Sequence, residues 1–219
     1  MRILLICGSL LGVALSLTTT EDRERNSRPS FRAYRKGPLR ADDFHATPPA
    51  KPPKADGLHA LAYTATDVRH KMRYRYTQRR RRFSAWLTSL QVDAVVLCDQ
   101  SWNKQKQNCD LLDHEQGHFD ITEIQTRRIQ LHMRKLIKRG KALKVVATSK
   151  QDAVTKLQAQ IRAELKPFVD ASKRGHETYD ELTRHGTRRQ AQAEQRRKQK
   201  QSLKELQEAL SPKRKRNQG

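Results

Sequence analysis

The chain predicts an α+β fold: a small, mostly antiparallel sheet, then one long helix and further helices, then a basic C-terminal tail that is either helical or disordered. Three observations predict it. Short segments of alternating apolar and polar residues fill Leu58 to Leu97, the apolar spacing turns helical from about Asp110, and from Thr187 onward the chain is Gln, Arg and Lys with few apolar residues. With 219 residues there is room for one globular core. Lys and Arg number 46 against 23 for Asp and Glu, a formal charge of +23, which attracts polyanions without choosing among them.

The N-terminus opens with Arg2, continues through an apolar run to Leu17 and then turns abruptly polar, the layout of a signal peptide over residues 1–20. The run is shorter than the roughly 20 apolar residues of a spanning helix, so no stable transmembrane helix is expected after cleavage. The implied location is secreted, periplasmic or cell-envelope. Only Cys98 and Cys109 then remain, a candidate disulfide in an oxidising compartment, with two free thiols as the alternative.

Residues 21–56 are rich in Arg, Ser and Pro, with Pro48-Pro49 and Pro52-Pro53, and read as a mostly extended linker. Within it Ala41-Asp42-Asp43-Phe44 is an island able to dock on the domain through Phe44. The globular domain is expected over 57–186. Ala60–Thr64 and Met72–Tyr76 read as strands, Arg79-Arg80-Arg81-Arg82 as a turn or exposed edge, and Val92–Cys98 as a more central strand. The long helix ends near Gly140. A second is expected over Gln151–Leu165, stopped by Pro167, and a third around Glu177–Arg184. Residues 187–219, closing on Lys213-Arg214-Lys215-Arg216, form the basic tail, without the apolar residues for a core of its own.

The chemistry is concentrated in His114-Glu115-Gln116-Gly117-His118. On a helix the two histidines lie about 40° apart on one face, one turn displaced, which suits two imidazoles gripping one metal. Glu115, about 100° round from His114, reaches a metal-bound water while staying outside the coordination shell, and is the candidate general base. Zn2+ in such a site lowers the pKa of its water toward about 7 and polarises a carbonyl, so peptide hydrolysis is the expected reaction. Gly117 allows a close approach to the helix, at up to about 1 kcal/mol of helix propensity.

A catalytic zinc takes three protein ligands, and the helix itself cannot supply the third. Asp120 and Glu123 point away, roughly 240° and 180° from His114, and His132 lies about 20 Å beyond His118. The downstream cluster from His176 to Gly186 is the source. His185 is the favoured ligand, aimed by a chain reversal at Gly186, while Asp180, Glu177 and Glu181 are carboxylate substitutes or orienting partners. Tyr179 is a candidate donor to the oxyanion formed on the substrate carbonyl, or else a packing residue.

These residues resemble a bacterial family of predicted secreted zinc-dependent proteases, the domain of unknown function 922. The matching pieces are Ala41–Phe44, Ser101-Trp102, Leu111–Ile121 with the histidine motif, and Tyr179-Asp180 through Thr183, His185 and Gly186. The resemblance implies a zincin-like metallopeptidase domain and maps the family's later histidine onto His185; it implies no substrate, and it does not cover the basic tail.

The expectation is a secreted zinc metallopeptidase acting on a protein or peptide, with His114, His118 and His185 on the metal and Glu115 as base. The tail is a possible handle for an anionic cell-surface polymer. The rival is a noncatalytic basic cell-surface or polyanion-binding protein whose zinc site is structural or vestigial. Nucleic acid is the less expected partner, because the basic clusters lack interleaved aromatics.

Overall fold

The computed structural model describes residues 4–9, 30–52, 54–55, 58–138 and 143–211. Its largest sheet is antiparallel and built on one long hairpin, β6 (Thr66–Arg79) and β7 (Arg82–Leu97), which turns at Arg80 with φ 52°. The four arginines expected at a turn or edge are this hairpin's tip. β1 (Leu4–Ser9) pairs with the outer edge of β6, while β2 (Phe31–Ala33) and β9 (Lys144–Ala147) both pair with β7. So β7, which contains the valine-rich stretch, is central, as its composition predicts. Two small pairs complete the strands: β3 (Lys54–Ala55) with β4 (Leu58–His59), and β5 (Ala62–Tyr63) with β8 (Trp102–Asn103).

Strand alternation sends Val68, Met72, Tyr74, Ala85, Leu87 and Val92 to one face of the sheet, all 7% exposed or less. Onto that face pack α1 (Cys109–Lys138) and α2 (Lys150–Thr183), through Ile129 and Met133 of the first and Leu157, Ile161 and Leu165 of the second. Asn108 caps α1 by accepting from the Leu111 amide at 3.0 Å, and Ser149 caps α2 by accepting from Asp152 at 3.0 Å.

α2 corrects one expectation. It runs unbroken through Pro167, where two helices separated by that proline were expected. Pro167 is exposed on the solvent side of the helix, clear of the core, and the helix is anchored on either side of it by buried Leu165 and Tyr179.

The expected linker is also partly structural from Ser30 onward. β2 extends the sheet, and Ala41–Asp43 form a 3-10 turn that delivers Phe44, 2% exposed, into a second core with Leu39, Ala94, Val96 and Phe119. The apolar run read as a signal peptide contributes β1; residues 1–3 and 10–29 lie outside the described residues. Cys98 is buried and Cys109 exposed, both as free thiols, so the candidate disulfide is absent. Among the described residues no helix is long and apolar enough to cross a membrane.

The basic tail forms α3 (Arg189–Leu210), docked on α1 rather than solvated all round. Apart from Leu203, the residues it buries are polar: Gln192, Arg196 and Gln199. Arg196 pairs with Asp120 at 2.5 Å and Asp113 at 3.1 Å, Gln192 donates to the Asp110 carbonyl at 3.0 Å, and Arg127 of α1 donates to the Leu203 carbonyl at 2.6 Å. The terminal cluster Lys213–Arg216 lies outside the described residues.

Candidate metal centre

α1 places its motif at the sheet-facing end of a cleft of about 1010 Å³, walled by β5, β8 and α2. His114 is 3% exposed and Glu115 3%, so the motif is set into the protein, as a site that excludes bulk water requires. The ring of Tyr179 stacks on His114 with centroids 4.9 Å apart and planes 13° from parallel. That ring lies against Gly117: a Cβ there would stand 2.5 Å from Tyr179 Cζ and closer still to its hydroxyl. The glycine thus admits a tyrosine of the same site, a more specific reason than the general close approach expected.

Opposite α1, α2 presents Asp180. His114 Nε2 stands 3.2 Å and His118 Nε2 3.0 Å from Asp180 Oδ1, and the three ligand atoms form a group within 4.8 Å of one another that could hold a metal ion. His185 is near but a step further out, its Nδ1 3.6 Å from the same oxygen. It follows the end of α2, where Arg184 (φ 47°), His185 (φ 53°) and Gly186 (φ 83°) reverse the chain through three left-handed residues. The reversal expected at Gly186 is present, and Gly186 packs on His114, where a Cβ would meet Cγ at 3.1 Å. The carboxylate considered as a substitute, Asp180, occupies the third position beside the two histidines, and His185 flanks it on the cleft wall.

Burial would raise Asp180, but the hydrogen bonds and charges of His114 and His118 hold its carboxyl well below the usual range. Burial would lower His118, yet the Asp180 hydrogen bond and the charges of Glu115 and Asp180 raise it. Metal-free, His118 therefore shares a proton with Asp180; a cation in the same place would displace it.

His176, one turn before Asp180 on the same face of α2, belongs to the downstream cluster and carries no separate role in the sequence. Its Nδ1 is 3.0 Å from His118 Nδ1, and its Nε2 is 3.3 Å from Thr122 Oγ1. Burial and the neighbouring His118 charge push it down to about 3, so it is a neutral imidazole that accepts the His118 Nδ1 proton. That fixes the tautomer leaving His118 Nε2 for a metal, the usual task of such an outer partner. The spacing signal was present in the sequence, since His176 and Asp180 are four apart.

Glu115 lines the cleft and accepts a 2.5 Å hydrogen bond from Thr64 Oγ1, just beyond β5. It is not in the metal group and keeps its second carboxylate oxygen for other work. Tyr179 does not line the cleft: its hydroxyl is buried with no hydrogen-bond partner among the described residues, and burial, despite the nearby Arg196, pushes its pKa upward. It is thus a neutral wall behind His114, the packing alternative of the sequence reading.

Two imidazoles and a carboxylate converging on one point suit a divalent metal, and a carboxylate beside that group suits proton transfer. No known protein family, curated protein or solved structure matches this chain. Its chemistry is therefore argued from these side chains.

Behind the motif, Asp120 holds α1 in place. It accepts from Tyr34 Oη at 2.8 Å, Gln116 Nε2 at 2.7 Å and Arg196, while Gln116 Oε1 accepts from the Leu39 amide at 2.7 Å. Asp120 points away from the metal group, as its position on the helix predicts, and links α1 to α3 and to the N-terminal segment.

Proposed function

We propose that this chain is a zinc-dependent peptidase, secreted or held in the cell envelope. The observation that carries the reading is the meeting of His114 Nε2, His118 Nε2 and Asp180 Oδ1 in a cleft that also contains Glu115. Those three would hold the ion, with His185 as flanking partner. Zinc, when bound, lowers the pKa of a water it contacts toward about 7 and polarises a substrate carbonyl. Glu115 takes the proton of the attacking water and returns it to the leaving amine, and Thr64 holds it in position through the 2.5 Å hydrogen bond. The cleft is large enough for a segment of peptide chain. The location rests on the N-terminal sequence pattern alone, a basic residue followed by an apolar run.

A second reading rests on His185. With Nδ1 3.6 Å from Asp180, a modest rotation would make it a fourth ligand and close the site, as in a structural zinc centre.

Glu115→Gln separates the two. The variant is expected to bind zinc as the wild type does and to lose about 10²- to 10⁴-fold in peptide hydrolysis, the usual contribution of a positioned base. Wild-type rates in the variant, or a zinc-loaded wild type that hydrolyses nothing in a broad peptide library, would sink the peptidase reading.

A further inference from the structure

Among the described residues the outer face of the main sheet carries no α-helix, and β6 lines it with cations. The alternation that buries Met72 and Tyr74 turns Lys71, Arg73, Arg75 and Arg79 of β6 outward, all exposed. Register places Trp86 of β7 beside Arg75, and Lys144 of β9 on the other side of Trp86. Asp93, the acid that β7 adds to this face, is already bound by Arg35 at 2.6 Å. Among the described residues none of the outward cations from Lys71 to Arg82 has an ion pair.

Holding so many unpaired like charges together is unfavourable without a counter-charge. The shape of the array says what that counter-charge is. Lys71, Arg73 and Arg75 run in a line along one strand, about 6.8 Å apart at two residues per step, and after Thr77 the row resumes at Arg79 in the arginine tip. A bilayer presents a plane of charge, whereas a twisted single row matches a linear polyanion. Most of the row is arginine, whose fork binds phosphate oxygens in pairs. Trp86, set between two cations, adds the flat apolar surface on which a base stacks. Tyr74 and Tyr76, which alternate with Arg73 and Arg75 in the sequence, face the core, so it is strand pairing that sets an aromatic, Trp86, among the outward cations.

We infer that the outer face of β6, β7 and β9 binds single-stranded nucleic acid, phosphates along the Lys71–Arg79 row and a base on Trp86. The face lies on the side of the sheet opposite α1 and the cleft, so the inference does not rest on the peptidase reading.

The test is fluorescence polarisation of the full chain with a labelled oligothymidylate of about 20 nucleotides, repeated over a salt series. Arg73→Ser with Arg75→Ser is expected to weaken binding at least about tenfold and to reduce the slope of log K against log salt by about 1.4, near 0.7 for each phosphate contact on a single strand. Trp86→Ala is expected to weaken binding about tenfold, and Trp86→Phe to restore most of it. A control triple on α3, Arg197→Ser, Lys200→Ser and Lys204→Ser, is expected to stay within about threefold of wild type, because its cations are on another face. Equal losses in the two charge variants, or wild-type affinity in the sheet variant, would overturn the inference. So would tighter binding to anionic vesicles at equal phosphate concentration with no effect of Trp86→Ala.

Discussion

Replacing Arg196 by Met should destabilise the protein by about 3 kcal/mol, near the low end of the 3–5 kcal/mol lost when one partner of a buried ion pair is removed. The Arg196 side chain is 7% exposed and that of Asp120 4%, so the substitution leaves a carboxylate in a nearly dry place. Asp113 is 47% exposed and loses little, because water replaces the guanidinium. Asp120 keeps the Tyr34 and Gln116 hydrogen bonds, which is why the low end applies. For a chain of this length about 3 kcal/mol corresponds to a Tm lower by roughly 6–12 °C. Urea unfolding of wild type, Arg196→Met, Asp120→Asn and the double variant measures it, and the double should recover much of the loss because no buried charge is left alone. A single-variant cost under about 1 kcal/mol that vanishes in high salt would show that α3 is a solvated helix, and would refute the docking described above.

Gly117→Ala should destabilise despite alanine's helix propensity advantage of about 1 kcal/mol, because its Cβ overlaps the Tyr179 ring; urea midpoints give the sign. His176→Ala should leave the fold intact and weaken zinc binding about 10- to 100-fold by freeing the His118 ring, as read by competition with a chelator. Metal-free protein should be most stable near roughly pH 6.5, because His176, pushed down to about 3, is neutral in the fold but takes a proton in the unfolded chain as pH falls below about 6.5. The raised His118 contributes fully below its unfolded value and loses that contribution as pH rises through its folded one, whereas the depressed Asp180 contributes above its unfolded value and loses that as pH falls. A metal-free Tm that rises steadily from pH 6 to 9 would contradict this.

What could be read in the sequence followed the residues with a periodic or spaced signal. The β6–β7 hairpin, α1 and the His114–His118 pair follow from alternation and i, i+4 spacing, which are local properties. Phe44 docks as its isolation among polar residues suggests. The misses are tertiary. Pro167 ends helices by local rules, yet packing on both sides carries α2 through it. Few apolar residues mark α3 as solvated, yet it docks through Arg196 and Gln192, whose partners lie about 80 residues earlier. The choice of Asp180 over His185 turns on which α2 side chain faces α1, and spacing along a single helix does not encode that.

The most direct test of the metal centre is zinc stoichiometry of purified protein, wild type against His114→Ala, His118→Ala, Asp180→Ala and His185→Ala under identical conditions. One zinc per chain, lost in the first three variants and retained in His185→Ala, is the expected result. Zinc retained in Asp180→Ala and lost in His185→Ala would move the third ligand to His185. A well-folded wild type that binds no zinc would contradict the central claim.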